Sequence, residues 1–247
     1  MSLAGAAISL SAAILSAVFT IIVLQQFLER RKARSLLWSI GLGMFTLVAV
    51  AQLIAETGGW TDGLFKAWYV LGTSLVGFLG GGSVYLLNKK AGHAFTAYLV
   101  ALFLAFVAMA MTTPTDPAVL AAYTAGEPPS GTAWAAGAAV RRMSPLFTIP
   151  GSVTLIGIAL YGLVRYRIEY TAWIAAGAVV LAVGTGLARI GIASVIYAAE
   201  FAGIALMFVG FWKAAEWARE RAKTTPVLPP EQETTEAPSP TVQTAPK

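Results

Sequence analysis

"FLERRKARSLLW", residues 27–38, breaks a sequence that is otherwise almost free of charge, and it does so after twenty-eight residues, Met1–Leu28, without one charged side chain. "LVRYRIEYTAW", residues 163–173, has the same layout of basic residues, a carboxylate and an aromatic entry into a new apolar run. Both stretches read as junctions between membrane spans. A span needs about 20 mostly apolar residues. Uncharged runs of that order occupy 1–28, 35–55, 67–88, 91–115, 143–164 and 170–188, and a seventh, 190–212, is interrupted only by Glu200. The reading is an all-α integral membrane protein, a bundle of seven transmembrane helices.

Composition agrees. The chain has 247 residues, 57% hydrophobic and 12% charged, with a mean hydropathy of +0.71. A soluble domain averages about 25% charged residues, so the charges here are too few to cover a globule. The absence of cysteine rules out disulfides, thiolate metal sites and cysteine nucleophiles, and a single histidine, His93, leaves no bis-histidine site. No cofactor is expected.

Charge placement gives the orientation. Twelve basic residues fall at one set of span ends: Arg30, Arg31, Lys32, Arg34, Lys89, Lys90, Arg165, Arg167, Lys213, Arg219, Arg221 and Lys223. The other set receives four, Lys66, Arg141, Arg142 and Arg189. Loops rich in Lys and Arg stay cytoplasmic, so the N-terminus is expected outside and the C-terminus inside, in the inner (plasma) membrane. "MSLAG" has no basic residue ahead of its apolar run and does not read as a cleaved signal. Because the basic clusters sit at span ends they are topogenic, and no nucleic-acid partner is expected. The lipid bilayer is the implied partner, with further copies or other membrane subunits as candidates.

A shift of 135 positions places Arg30 on Arg165, Lys32 on Arg167 and Trp38 on Trp173; after a four-residue deletion Gly72 falls on Gly203 and Leu75 on Leu206. Spans 1–3 (residues 1–88) therefore read as one copy of a repeat and spans 5–7 (143–213) as the second. Span 4 (91–113) is the linker that restores a parallel orientation about an axis along the membrane normal. The membrane domain extends over 1–223. Residues 224–247, rich in Pro, Thr and Glu, form an expected disordered cytoplasmic tail.

This layout of three, one and three spans resembles the SWEET and PQ-loop carriers and the nicotinamide riboside carriers, which implies a small-solute carrier. The chain contains no Pro-Gln dipeptide. Seven spans are also the count of rhodopsins, but no lysine lies mid-span in the last helix to hold retinal; Lys213 is at its end. "AETGGWTDGLFKAWYVLGTSLVGFLGGGSVYLL" (55–87) resembles a segment of bacterial seven-span membrane proteins of unassigned activity, and implies none.

Glu200 is the one carboxylate inside a span, about ten residues into the last one, hence about 15 Å along its axis. A charge facing lipid costs several kcal/mol, so Glu200 must be paired, hydrogen-bonded or protonated, and Arg189 is the expected partner. As a structural group it is an ion pair; as a functional one, a proton or substrate relay. Gln52, Glu56, Asp62, Lys66, Tyr69, Arg141, Arg142 and Tyr197 gather at the same ends. Each alone is ordinary rim, as Trp60, Trp68 and Tyr69 are aromatic belt, but together with Glu200 and Arg189 they could line a polar vestibule.

"GFLGGGSVYLL" (77–87) lacks the Lys-Ser/Thr ending and the preceding strand of a phosphate loop. Its Gly77 and Gly81 are one helical turn apart and suit close helix packing. Pro150-Gly151 reads as a kink. The long loop 112–142 carries "AWAAGAAV" (133–140), expected on the membrane interface, and His93 is expected at an interface without a chemical role. No constellation for nucleophilic, metal or hydride chemistry is present, so an enzyme is the least expected class. The expected activity is small-solute transport, and its rival is a non-enzymatic sensor or accessory subunit.

Overall fold

The computed structural model describes residues 3–123, 129, 131–189 and 195–224. Seven helices in it are long and apolar enough to cross a membrane. They are α1 (Leu3–Arg30), α2 (Ala33–Gly58), α3 (Asp62–Leu87), α4 (Lys89–Thr112), α6 (Met143–Tyr166), α7 (Glu169–Arg189) and α8 (Ile196–Thr224), with a short α5 (Pro117–Ala122) in the long loop. The protein is a polytopic helical membrane protein.

The chain turns where the sequence interrupts its apolar runs. Thr61 accepts a hydrogen bond from the Leu64 amide at the start of α3, and Asn88 caps α4 through the amides of Lys90 and Ala91. These side chains satisfy amides that a helix leaves without internal partners. Arg31 and Arg167 both take positive φ, 48° and 51°, at the two junctions quoted above. At each, a helix stops on a left-handed residue and the next begins within two residues.

The principal contacts run α1–α2–α3–α6–α7–α8 and back from α8 to α1, a closed ring of six helices. Helix α4 packs outside the ring, chiefly on α3. Only 17% of its most apolar window is buried inside the protein, against 61% for α3. Small residues let the ring close. An added Cβ on Gly151 would lie 2.6 Å from the Val76 carbonyl oxygen, so α3 and α6 touch backbone to backbone. Gly77 and Gly81 seat α4, since added Cβ atoms there would lie 2.9 and 2.8 Å from Leu99. Helix α6 runs through Pro150 without interruption.

Two apolar cores result. One joins α1, α2, α3, α6, α7 and α8 around Phe19, whose ring meets Phe208 at 5.4 Å and Phe211 at 5.0 Å. The other joins α2, α3, α4, α6 and the long loop. In the segment 133–140, Ala133, Trp134 and Val140 are buried in the protein, while Ala136, Gly137 and Ala139 are exposed. Trp134 meets Phe65 at 5.1 Å and Tyr69 at 5.6 Å. An isolated bridge between Thr115 and Trp134, and the Thr115 hydroxyl donating to Asp62, tie the loop down over α3.

Candidate functional site

One end of the bundle, the loop end, holds Thr113–Tyr123 and Gly131–Arg142, and the other, the basic end, holds Arg30–Arg34 and Arg165–Arg167. Helix α2 runs toward the loop end and α8 away from it, so the two are antiparallel. Gln52 and Glu56, four apart, share one face of α2, and Tyr197 and Glu200, three apart, share one face of α8. All four are buried, at 1, 5, 4 and 8% exposure in that order. Gln52 Nε2 donates to Glu200 Oε2 at 2.8 Å. Tyr197 and Glu56 form the second link, hydroxyl to carboxylate. Two polar rungs therefore join helices that are not neighbours in the ring.

Glu200 lies four residues after Ile196, the first residue of α8, or about 6 Å along the axis. The expected depth of about 15 Å counts from residue 190, and residues 190–194 lie outside the described residues. Among the described residues its partner is the Gln52 amide. The Arg189 side chain lies outside the described residues, and so does the expected Glu200–Arg189 pair. Among the described residues Glu200 makes no ion pair, and the one salt bridge joins Lys66 to Asp62 at 3.0 Å. Gln52 Oε1 is buried without a hydrogen-bond partner among them.

Glu200 also stands on the wall of a cavity of about 740 Å³ enclosed by α2, α3, α6, α7, α8 and the long loop. That volume falls within the range of small-molecule sites, about 300–1,000 Å³. Tyr69, a candidate from the sequence, is on the same wall, and Trp68 beside it carries a buried indole N–H without a partner. Arg141 and Arg142 are exposed and take no part in the wall.

Sequence reasoning missed a stripe of hydroxyls. Ser144, Thr148 and Ser152 of α6 line the cavity, facing Thr73 of α3 and Thr185 of α7. The signal was present: an interval of four places the α6 residues on one helix face. Thr148 bonds back to the Ser144 carbonyl at 3.0 Å, and Thr185 to the Leu181 carbonyl at 3.0 Å. The Thr148 and Thr185 hydroxyls are thus satisfied within their own helices while lining the cavity.

No group of His, Asp, Glu or Cys able to hold a metal occurs among the described residues. His93 bonds the Tyr85 hydroxyl through Nδ1 at 3.0 Å at the basic end, far along α4 from the cavity. Fold and site together define a membrane-spanning bundle with a buried polar pair beside a ligand-sized cavity. No family model, curated protein or solved structure matches the chain.

Proposed function

We propose that the protein is a small-solute carrier of the cell membrane, built from two parallel three-helix units with α4 as the linker and oriented with its N-terminus outside. The observation that carries this reading is the position of the cavity: α2 and α3 of one unit form one side, and α6, α7 and α8 of the other form the opposite side. A site at the junction of two repeats is where rocking of one unit against the other can alternate access.

The close approaches within the two units correspond. An added Cβ on Gly41 would lie 2.8 Å from Leu79 Cγ and 3.1 Å from the Leu75 carbonyl oxygen; on Gly177 it would lie 2.6 Å from Met207 Cγ and 2.5 Å from the Gly203 carbonyl oxygen. One on Gly82 would meet Trp38 and the Arg34 carbonyl, and one on Gly210 would meet Ile174 and the Tyr170 carbonyl. Throughout, the α7 residue is 136 positions beyond its α2 counterpart and the α8 residue 128 beyond its α3 counterpart. Between units, Gly80 against Thr154 corresponds to Phe208 against Phe19. This register differs by one and by three positions from the 135 and 131 read from matching residue types. Packing aligns the points of closest approach, which identity of Trp or Gly does not. In the packing register Glu200 corresponds to Gly72 and Gln52 to Ala188, so the polar pair belongs to one half of the symmetry only.

Glu200 is the group assigned to solute or proton coupling. The test is uptake by proteoliposomes holding a pH-sensitive dye, with amino acids, sugars and amines added in turn. One class should give saturable uptake that Glu200→Gln abolishes. Uptake by no class, with the protein monodisperse, would favour the sensor or accessory role instead.

A further inference from the structure

Among the described residues the cavity has a roof, a floor and an exposed edge at its side. Toward the loop end, Tyr123, Pro129 and Gly131 roof it, and the Tyr69 hydroxyl would lie 3.1 Å from a Cβ added at Gly131. Toward the basic end its floor is Leu79 and Leu155, beside the backbone contact of α3 with α6. Helices α6 and α7 meet close to their connecting turn, where an added Cβ on Gly162 would lie 3.3 Å from Thr171. Farther from the turn they part. Ile149 and Val153 line the cavity yet are 63 and 66% exposed. Ala182 and Thr185 of α7 likewise both line it and are exposed. These side chains place the edge of the cavity at the outer surface of the bundle, between α6 and α7. Val153 is ten residues, about 15 Å, into α6, within the depth of a hydrocarbon core about 30 Å thick. The opening faces lipid.

The described wall carries one carboxylate, Glu200, and no Lys, Arg or His. An anionic headgroup would meet like charge, with no compensating cation among the described residues of the wall. An ammonium group would gain a charge-assisted hydrogen bond. Besides Glu200 and the hydroxyl stripe, the wall carries Val48, Val76, Leu155, Ile156 and Leu181, a surface for hydrocarbon.

We infer that the cavity takes a single-chain amphiphile with an amine head, which enters sideways from the bilayer between α6 and α7. Its head reaches Glu200, and its chain lies on the apolar wall and leaves through the Ile149–Val153 opening. This names the substrate class of the proposed carrier and rests on that reading for transport, though not for binding.

The test uses the full chain in neutral phosphatidylcholine nanodiscs with dodecylamine, dodecanoate and butylamine, read by tryptophan fluorescence and melting temperature against empty discs. Dodecylamine should bind saturably, and dodecanoate and butylamine should not. Glu200→Gln should weaken dodecylamine about tenfold or more, the scale of one lost charge-assisted hydrogen bond. Val153→Trp sits on a lipid-facing position, so folding is not at stake, and it should block the opening with a similar loss. It decides the matter if Glu200→Gln does not remain monodisperse. Equal binding of dodecanoate, butylamine binding as tightly as dodecylamine, or dodecylamine binding unchanged by Val153→Trp would each overturn the inference. Saturable dodecylamine binding without flux would retain the site and remove the carrier. Flux of a water-soluble solute without dodecylamine binding would do the reverse.

Discussion

Gln52 and Glu200, 148 residues apart in sequence, are joined by a 2.8 Å hydrogen bond across the inside of the helix ring. Helices α2 and α8 are separated in the ring by α1, and this bond and the Tyr197–Glu56 link join them across it. The pair also fixes how Glu200 is presented to the cavity. An amide partner leaves the carboxyl able to take or release a proton without stranding an opposite charge, which a guanidinium partner would not.

Removing the donor should cost more than changing the acceptor. Gln52→Leu leaves the buried carboxyl without its partner and should lower stability by about 1–3 kcal/mol. Glu200→Gln keeps an acceptor oxygen opposite Gln52 and should cost less than that. The double change to Leu at both positions should recover part of the Gln52→Leu loss, a coupling read in a double-mutant cycle by thermal unfolding in nanodiscs. Strictly additive effects would show that the bond is not formed in the membrane.

Two glycines of α6 should behave oppositely. Gly151→Ala forces a methyl to within 2.6 Å of a backbone oxygen on α3 and should destabilise by about 1–3 kcal/mol, as overpacking does. An added Cβ at Gly157 meets nothing within 4 Å, and Ala there should be neutral or mildly stabilising through its higher helix propensity. A comparable loss at both positions would mean that α3 and α6 are not in backbone contact.

The buried indole of the long loop should act as an anchor. Trp134 is 1% exposed, and Trp134→Ala should cost about 3–5 kcal/mol. Limited proteolysis of the loop should accelerate in the same variant, because the roof over the cavity loses its attachment. Unchanged proteolysis would show that the Thr115–Asp62 contact alone holds the loop.

Orientation is open to direct labelling, since the chain has no cysteine. Thr57 and Asn88 are both exposed, at the loop end and the basic end. Thr57→Cys should react with an impermeant thiol reagent added to intact cells, and Asn88→Cys only after permeabilisation. The reverse pattern would invert the topology.

Seven spans and their junctions were legible in the sequence, because an uncharged run long enough to cross a bilayer has no soluble alternative and because charge must leave the hydrocarbon at each turn. The boundaries follow from the same rule, and α1 ends at Arg30 within the charged cluster that marked it. Gln52, Glu56, Tyr69, Tyr197 and Glu200 could be gathered at one end for that reason too. Which of them touch could not be read: Gln52, on a helix five spans earlier in the chain, bonds Glu200, and no local pattern joins two residues 148 apart. Nor did an apolar stretch such as 133–140 reveal whether lipid or protein covers it, since both are equally dry and Trp134 is accommodated by either. The closed ring, the burial of the loop and the sideways opening between α6 and α7 were decided by tertiary packing, where glycines set how near two backbones come. Hydropathy along one chain measures only the transfer of each segment out of water, and helix-to-helix geometry inside the membrane depends on contacts between segments that no local pattern contains.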